Sequence, residues 1–289
     1  MRIRTLVAAA TMSGALALTA FAVPAAQAAA PAPGAAPDAA SRFGDAPAKK
    51  APRAAVRAAA AEPVITDVAV HGDADIVLGT TDKKTIKVAV TASHPSGIYD
   101  AYLDLWHGTD IDNDVDGLLL PNEDQATCTA SSATTSKCVL SFTIDPRADL
   151  YMNALAGTWH VRVGAISNDG DLFWDDYYTT HHVQRLSKQT VNASPEPVKK
   201  GATITVTGKL SRANWEDHAY HGYTGQKVQL QFRKADSSTY STVKTLTTNS
   251  TGELKTTVTA ATDGYWRYSF AGTSTTPAVK AAGDFVDVQ

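Results

Sequence analysis

The stretch Asp263-Gly264-Tyr265-Trp266-Arg267-Tyr268-Ser269-Phe270-Ala271 sets the fold class. Asp-Gly favours a type I′ turn, whose two central residues both need positive φ, and the aromatic run behind it can carry large side chains into a core. A related phrase occurs earlier, where Asp169-Gly170 leads into Leu172-Phe173-Trp174. Both read as a tight turn feeding an aromatic strand. Two weakly related β domains in tandem explain the repetition economically; one large β-sandwich is the alternative.

From Pro63 onward the chain consists of short alternating runs rich in Val, Ile, Thr, Tyr and Trp, separated by Gly, Asp, Asn, Ser and Pro clusters. This is the pattern of strands and turns. In the first half it predicts strands at 64–70, 85–92, 101–106, 138–144, 158–166 and 172–180. The one candidate helix, 146–156 with Leu150, Met152 and Leu155, is short enough to be a single turn between strands. The pattern breaks at 187–200, around Val191-Asn192-Ala193-Ser194-Pro195-Glu196-Pro197. It resumes with strands predicted at 203–211, 226–233, 240–246, 254–260, 264–271 and 284–288. About seven short strands per 100 residues is the count of an immunoglobulin-like sandwich. The fold class expected is all-β, with one such domain over 63–188 and a second over 189–289.

The N-terminus reads as an export signal over 1–28: Arg2 and Arg4, an apolar segment from Leu6 to Val23, and the small-residue triplet Ala26-Gln27-Ala28. Residues 29–62 are almost entirely Ala, Pro, Gly, Lys and Arg, with Phe43 the only aromatic, and are expected to be a disordered tether. No later apolar run approaches the roughly 20 residues of a membrane-spanning helix, so a secreted protein without membrane insertion after cleavage is expected. The formal charge of −3 argues against nucleic acid as a partner. Export also places the only two cysteines, Cys128 and Cys138, in an oxidising compartment. A disulfide is expected between them, closing the small and polar loop 129–137.

One constellation carries chemistry. Asp110, Asp112, Asp114, Asp116, Glu123 and Asp124 crowd into a stretch without a basic residue. Within it, Asp112-x-Asp114-x-Asp116-Gly117 followed by Glu123 satisfies the twelve-position calcium-loop pattern. Calcium seeks six to eight oxygens, which the alternate carboxylates, the Leu118 carbonyl and a bidentate Glu123 can supply, with Gly117 allowing the sharp turn. Pro121 and the strand-like run 99–106 speak against flanking helices, so the site expected is a structural Ca2+ loop between strands. A solvated acidic turn is the competing reading.

Other candidates are weaker. His181-His182 are adjacent in sequence, and neighbours on a strand point to opposite faces, so they do not chelate one ion. His218 and His221 beside Asp217 fall in a predicted loop, 215–225. Trp215, Tyr220 and Tyr223 in that loop either stack on sugar rings or form its own small core. There is no His-Glu-x-x-His, no Gly-x-Ser-x-Gly and no spare cysteine, so no enzyme is expected. The expected partner is an extracellular protein or a cell-wall polysaccharide.

The residues 191–197, Thr205-Val206-Thr207-Gly208-Lys209-Leu210, Leu230-Gln231-Phe232-Arg233 and Gly264-Tyr265-Trp266-Arg267-Tyr268-Ser269-Phe270-Ala271-Gly272 resemble the Ig-like domains of secreted actinobacterial proteins. The resemblance covers about the last 100 residues. The first domain looks like the usual companion of such domains in an exported family, some members of which are described as calcium-binding.

Overall fold

A computed structural model describes residues 36–44 and 61–289. The expected signal at 1–28 and most of the expected tether at 29–62 lie outside the described residues.

The first domain is built from β1 (Val64–Val70), β2 (Ile76–Leu78), β3 (Lys84–Ser93), β4 (Ile98–Asp110), β5 (Asp114–Leu119), β6 (Thr127–Ala130), β7 (Thr135–Ile144), β8 (Gly157–Ser167) and β9 (Leu172–Arg185). One sheet runs β1-β3-β7-β6 and the other β2-β9-β8-β4-β5. Lettered in chain order as A, A′, B, C, C′, D, E, F and G, these are the ABED and GFCC′ sheets of an immunoglobulin sandwich. The first strand is divided between them, and its second piece, β2, lies parallel to β9 with Ile76 opposite Val183. Period-two burial builds the core: Cys138, Leu140, Phe142 and Ile144 from β7 face Trp159, Val161, Val163 and Ala165 from β8, all nearly inaccessible.

The second domain repeats the plan with β10 (Ser187–Gln189), β11 (Asn192–Ser194), β12 (Thr203–Asn214), β13 (Ala219–Gly222), β14 (Lys227–Lys234), β15 (Ser241–Thr247), β16 (Glu253–Thr259), β17 (Gly264–Phe270), β18 (Val279–Lys280) and β19 (Asp284–Val286). β12 pairs with β11 and β16 along one half and with β10 and β13 along the other, while β15-β14-β17 carry β18 and β19 at the far edge. A parallel bridge from Val198 to Val288 repeats the A′–G contact. Both domains are therefore immunoglobulin-like.

Several expectations need correction. Neither Asp-Gly pair forms a type I′ turn. Gly170 alone has positive φ, 94°, in a four-residue β8–β9 connection that does not require such a turn. Gly264 already pairs as the first residue of β17, because 260–263 cross from one sheet to the other and do not close a hairpin. The 146–156 segment holds one 3-10 turn, Asn153–Leu155. The loop expected at 215–225 contains β13.

The boundary between domains falls at Leu186, since Ser187–Gln189 already pairs with β12. No flexible linker separates the sandwiches. Trp215, from the second domain, is fully buried within the first domain's core cluster, and its indole N–H donates to the Gly79 carbonyl at 3.0 Å. Asn153 accepts the Trp215 backbone N–H at 3.0 Å and donates to Asn214 at 2.7 Å, and Arg185 Nε donates to the Ala213 carbonyl at 2.6 Å. Burial, with Arg212 nearby, pushes the Arg185 pKa down to about 10. Trp215 thus serves the joint between domains and is not a sugar platform.

Candidate functional site

The acidic run forms the hairpin between β4 and β5. Asp112 is exposed in the turn at 111–113, and its N–H donates to Asp110 Oδ1 at 2.9 Å. That bond, with the Asn113 amide, holds the Asp110 carboxyl below its ordinary pKa. Asp114 accepts the Thr109 hydroxyl, and Asp116 meets His107 Nδ1 at 2.5 Å. Leu118 sits opposite Trp106 in the ladder. Glu123 turns away to the other sheet, where its two oxygens accept the Ser141 N–H at 2.7 Å and the Ser141 hydroxyl at 2.5 Å.

The expected calcium residues Asp112, Asp114, Asp116, Leu118 and Glu123 are therefore spread along a hairpin and across to β7; they are not curled about one point. Gly117 lies within a strand. Its missing Cβ leaves room for the Trp159 ring, which an added Cβ would approach to 2.6 Å. The Cys128–Cys138 disulfide forms across β6 and β7, stapling neighbours within one sheet.

A different group has metal-type composition. His94, in the turn after β3, and Asp169 and Asp171, between β8 and β9, place ligand atoms within 4.8 Å of one another and could hold a metal ion. His94 is 5% exposed. Its ring nitrogens already have partners: the Ser96 N–H donates to Nδ1 at 3.1 Å, which assigns the proton to Nε2, and Nε2 donates to the Ala61 carbonyl at 2.7 Å. Ser96 and Ser167 hydroxyls both reach Asp169 Oδ1 at 2.6 Å, and these bonds hold its carboxyl below the ordinary pKa. The group ties together two turns and the entry to β1.

The densest chemistry lies on the outward face of the GFCC′ sheet. An antiparallel sheet normally keeps that face solvated and polar. Here Tyr102, Asp104, Trp106 and Arg162 are all at most 2% exposed. Arg162 forks onto Asp104, which also accepts the Tyr102 hydroxyl at 2.8 Å. Burial alone would draw the guanidinium down, but Asp104 outweighs it and the Arg162 pKa lies above its ordinary value. Trp174 stacks on Tyr102 with centroids 5.5 Å apart, and an added Cβ at Gly164 would come within 2.5 Å of the Trp174 ring. Trp106 stacks on His160 at 4.2 Å, and half-exposed Tyr177 closes edge-on over both.

What covers part of this face comes from the stretch expected to be a tether. Helix α1 (Ala39–Phe43) is a single short turn, opened by a reciprocal capping box between Asp38 and Ser41. Phe43 is 7% exposed and meets Trp174 edge-on at 6.0 Å. The Arg42 guanidinium lies 5.2 Å from the Tyr102 ring and pairs with Asp100 at 3.0 Å. Burial nonetheless pushes the Asp100 carboxyl up. Among the described residues Arg42 Nε and Nη2 are buried without partners. A cleft of about 490 Å³ runs beside Arg42, bounded by Tyr99, Asp100, Leu120, Glu123 and Asp124. Sequence reasoning missed this face; its signals were the lone aromatic Phe43 and the aromatics alternating with acids in β4.

A family of unknown function (DUF5707) matches residues 72–165, which lie within the first domain. No curated protein matches the chain. Among solved structures, the D00-D0 domain of Intimin is similar at 14% identity over 76% of this chain and 99% of that one, with a TM-score of 0.25. The ectodomain of mouse nectin-like molecule 4 is similar at 13% identity over 78% and 64%, with a TM-score of 0.22. The Yersinia pseudotuberculosis adhesin InvE is similar at 15% identity over 77% and 56%, with a TM-score of 0.23. The immunoglobulin-like assignment rests on the strand order above and not on these likenesses.

Proposed function

We propose that this chain is an exported, non-enzymatic binding protein whose first domain grips a protein segment on the outward face of its GFCC′ sheet. The observation that carries the reading is the occupant already there, an arginine beside an aromatic, seated against Tyr102, Trp174 and Asp100. The face offers rings for stacking, a carboxylate for the guanidinium, and a cleft alongside for further residues. Among the described residues two donors on Arg42 have no partner, which marks its own fit as incomplete and leaves a partner room to bind better. Export rests on the N-terminal leader pattern, and the secreted setting supports an extracellular protein as partner.

The test is calorimetric titration of a synthetic peptide spanning residues 36–46 into a chain that starts at residue 61. Saturable binding, lost when the peptide carries Arg42→Ala and Phe43→Ala, is the expected result. No heat at millimolar peptide would refute the binding face.

A further inference from the structure

The second domain presents a sheet face of opposite character. Outward positions on β14, β17 and β18 alternate with buried Val228, Leu230, Trp266, Tyr268 and Phe270. They bring Lys227, Arg233, Arg267 and Lys280 to one surface. The five strands of this sheet contain one acidic residue, Asp284, and it is turned away to accept the Ala193 N–H at 2.7 Å. Among the described residues none of the four cations has an ion-pair partner.

Aromatic rings are interleaved with these charges. Arg233 lies 3.7 Å from the Tyr265 ring centroid and 5.4 Å from that of Tyr240, and Arg267 lies 3.6 Å from Tyr240. Phe285, 38% exposed, extends the row with its ring 5.0 Å from Tyr265. Arg267 Nε donates to Gln231 at 2.9 Å and Arg233 donates to the Ser237 carbonyl at 2.8 Å, so the guanidinium planes are held before any ligand arrives. Stacked and tethered arginines lose little freedom on binding an anion, and planar donors suit carboxylates.

Charge along the chain has the same sense. Residues 190–289 hold 11 basic against 8 acidic residues, a net of +3, whereas 63–189 hold 8 basic against 18 acidic, a net of −10. A polyanion is repelled by the first domain and attracted to the second.

We infer that the outward face of the β15-β14-β17 sheet binds an acidic polysaccharide, one whose uronate carboxylates meet Arg233, Arg267, Lys227 and Lys280 while its sugar rings lie along Tyr265, Tyr240 and Phe285. The face is a strand surface with its cations spread over β14, β17 and β18, which suits an extended polymer. Gln229, Gln231 and Thr242 beside the rings supply donors and acceptors for sugar hydroxyls. The inference does not depend on the first domain's peptide face, and its failure leaves that reading intact.

The experiment is affinity electrophoresis of the chain from residue 29 onward through gels containing polygalacturonate, dextran or single-stranded DNA. Retardation by polygalacturonate, weakened at least about tenfold between 50 and 500 mM salt, is expected. The Arg233→Gln/Arg267→Gln variant should lose about tenfold or more in affinity. So should Lys227→Gln/Lys280→Gln, whose exposed side chains are outside the stacked row and leave folding intact. Lys209→Gln, on β12 of the other sheet, should change nothing. Equal retardation by dextran, stronger retardation by DNA, undiminished binding in both double variants, or no retardation at all would overturn the inference.

Discussion

At the scale of single residues, Trp215 and Glu123 have the clearest consequences. Trp215 is contributed by one domain and buried in the other's core, so Trp215→Ala should cost about 3 to 5 kcal/mol in chemical denaturation. An unchanged midpoint would show that the joint does not stabilise the first domain. Glu123 links the segment after β5 to β7. Burial by itself would raise its carboxyl, but the Ser141 hydroxyl and N–H bring the pKa below its ordinary 4.5. A folded pKa below the unfolded one means that the stabilisation is present above the unfolded value and lost as pH falls through the folded value. Glu123→Gln should therefore flatten the acid side of a plot of melting temperature against pH between about 5 and 3, while costing about 1 kcal/mol or less at pH 7 because solvent screens the site. An unchanged acid limb would remove Glu123 from the account.

At the scale of elements, the expected disulfide and the expected calcium loop both fall in the first domain. The disulfide pins β6 to β7 within one sheet, and reducing it should lower stability by about 2 to 3 kcal/mol in thermal melts. The hairpin is held by its own hydrogen bonds, Asp116 with His107, Asp114 with Thr109 and Asp110 with the Asp112 N–H, while Glu123 beyond it is engaged by Ser141 of β7. Millimolar calcium added to chelator-treated protein should therefore leave the melting temperature within about 1 °C. A rise of several degrees, lost in the Asp112→Ala/Asp114→Ala variant, would mean that the hairpin rearranges around the ion. Period-two alternation made the central strands legible, including β1 at its observed bounds. It could not reveal β2, β6, β10 or β13, which are three or four residues long and exist because a long neighbour offers ladder positions. The calcium pattern matched residue types at the right spacing, but spacing alone could not tell a curled loop from a strand in which Gly117 makes way for Trp159. Helix α1 was hidden because composition reports what a segment cannot bury by itself and is silent on a ready-made face elsewhere.

At the scale of the whole molecule, two immunoglobulin-like domains share a joint with Leu186 as the only residue between their sheets, and each has a differently built outward face on its GFCC′-type sheet. The first face is aromatic and carries a buried ion pair; the second is cationic and free of carboxylates. The central claim is that the first face recognises an arginine-aromatic segment, and the ring of Trp174 reports on it directly. The decisive measurement is fluorine NMR of 5-fluorotryptophan in the intact chain, with the Trp174 resonance identified by Trp174→Phe. Phe43→Ala should move that resonance, adding the peptide of residues 36–46 should return it, and the resonances of Trp159, Trp215 and Trp266 should stay in place. A Trp174 resonance indifferent to both changes would contradict the account.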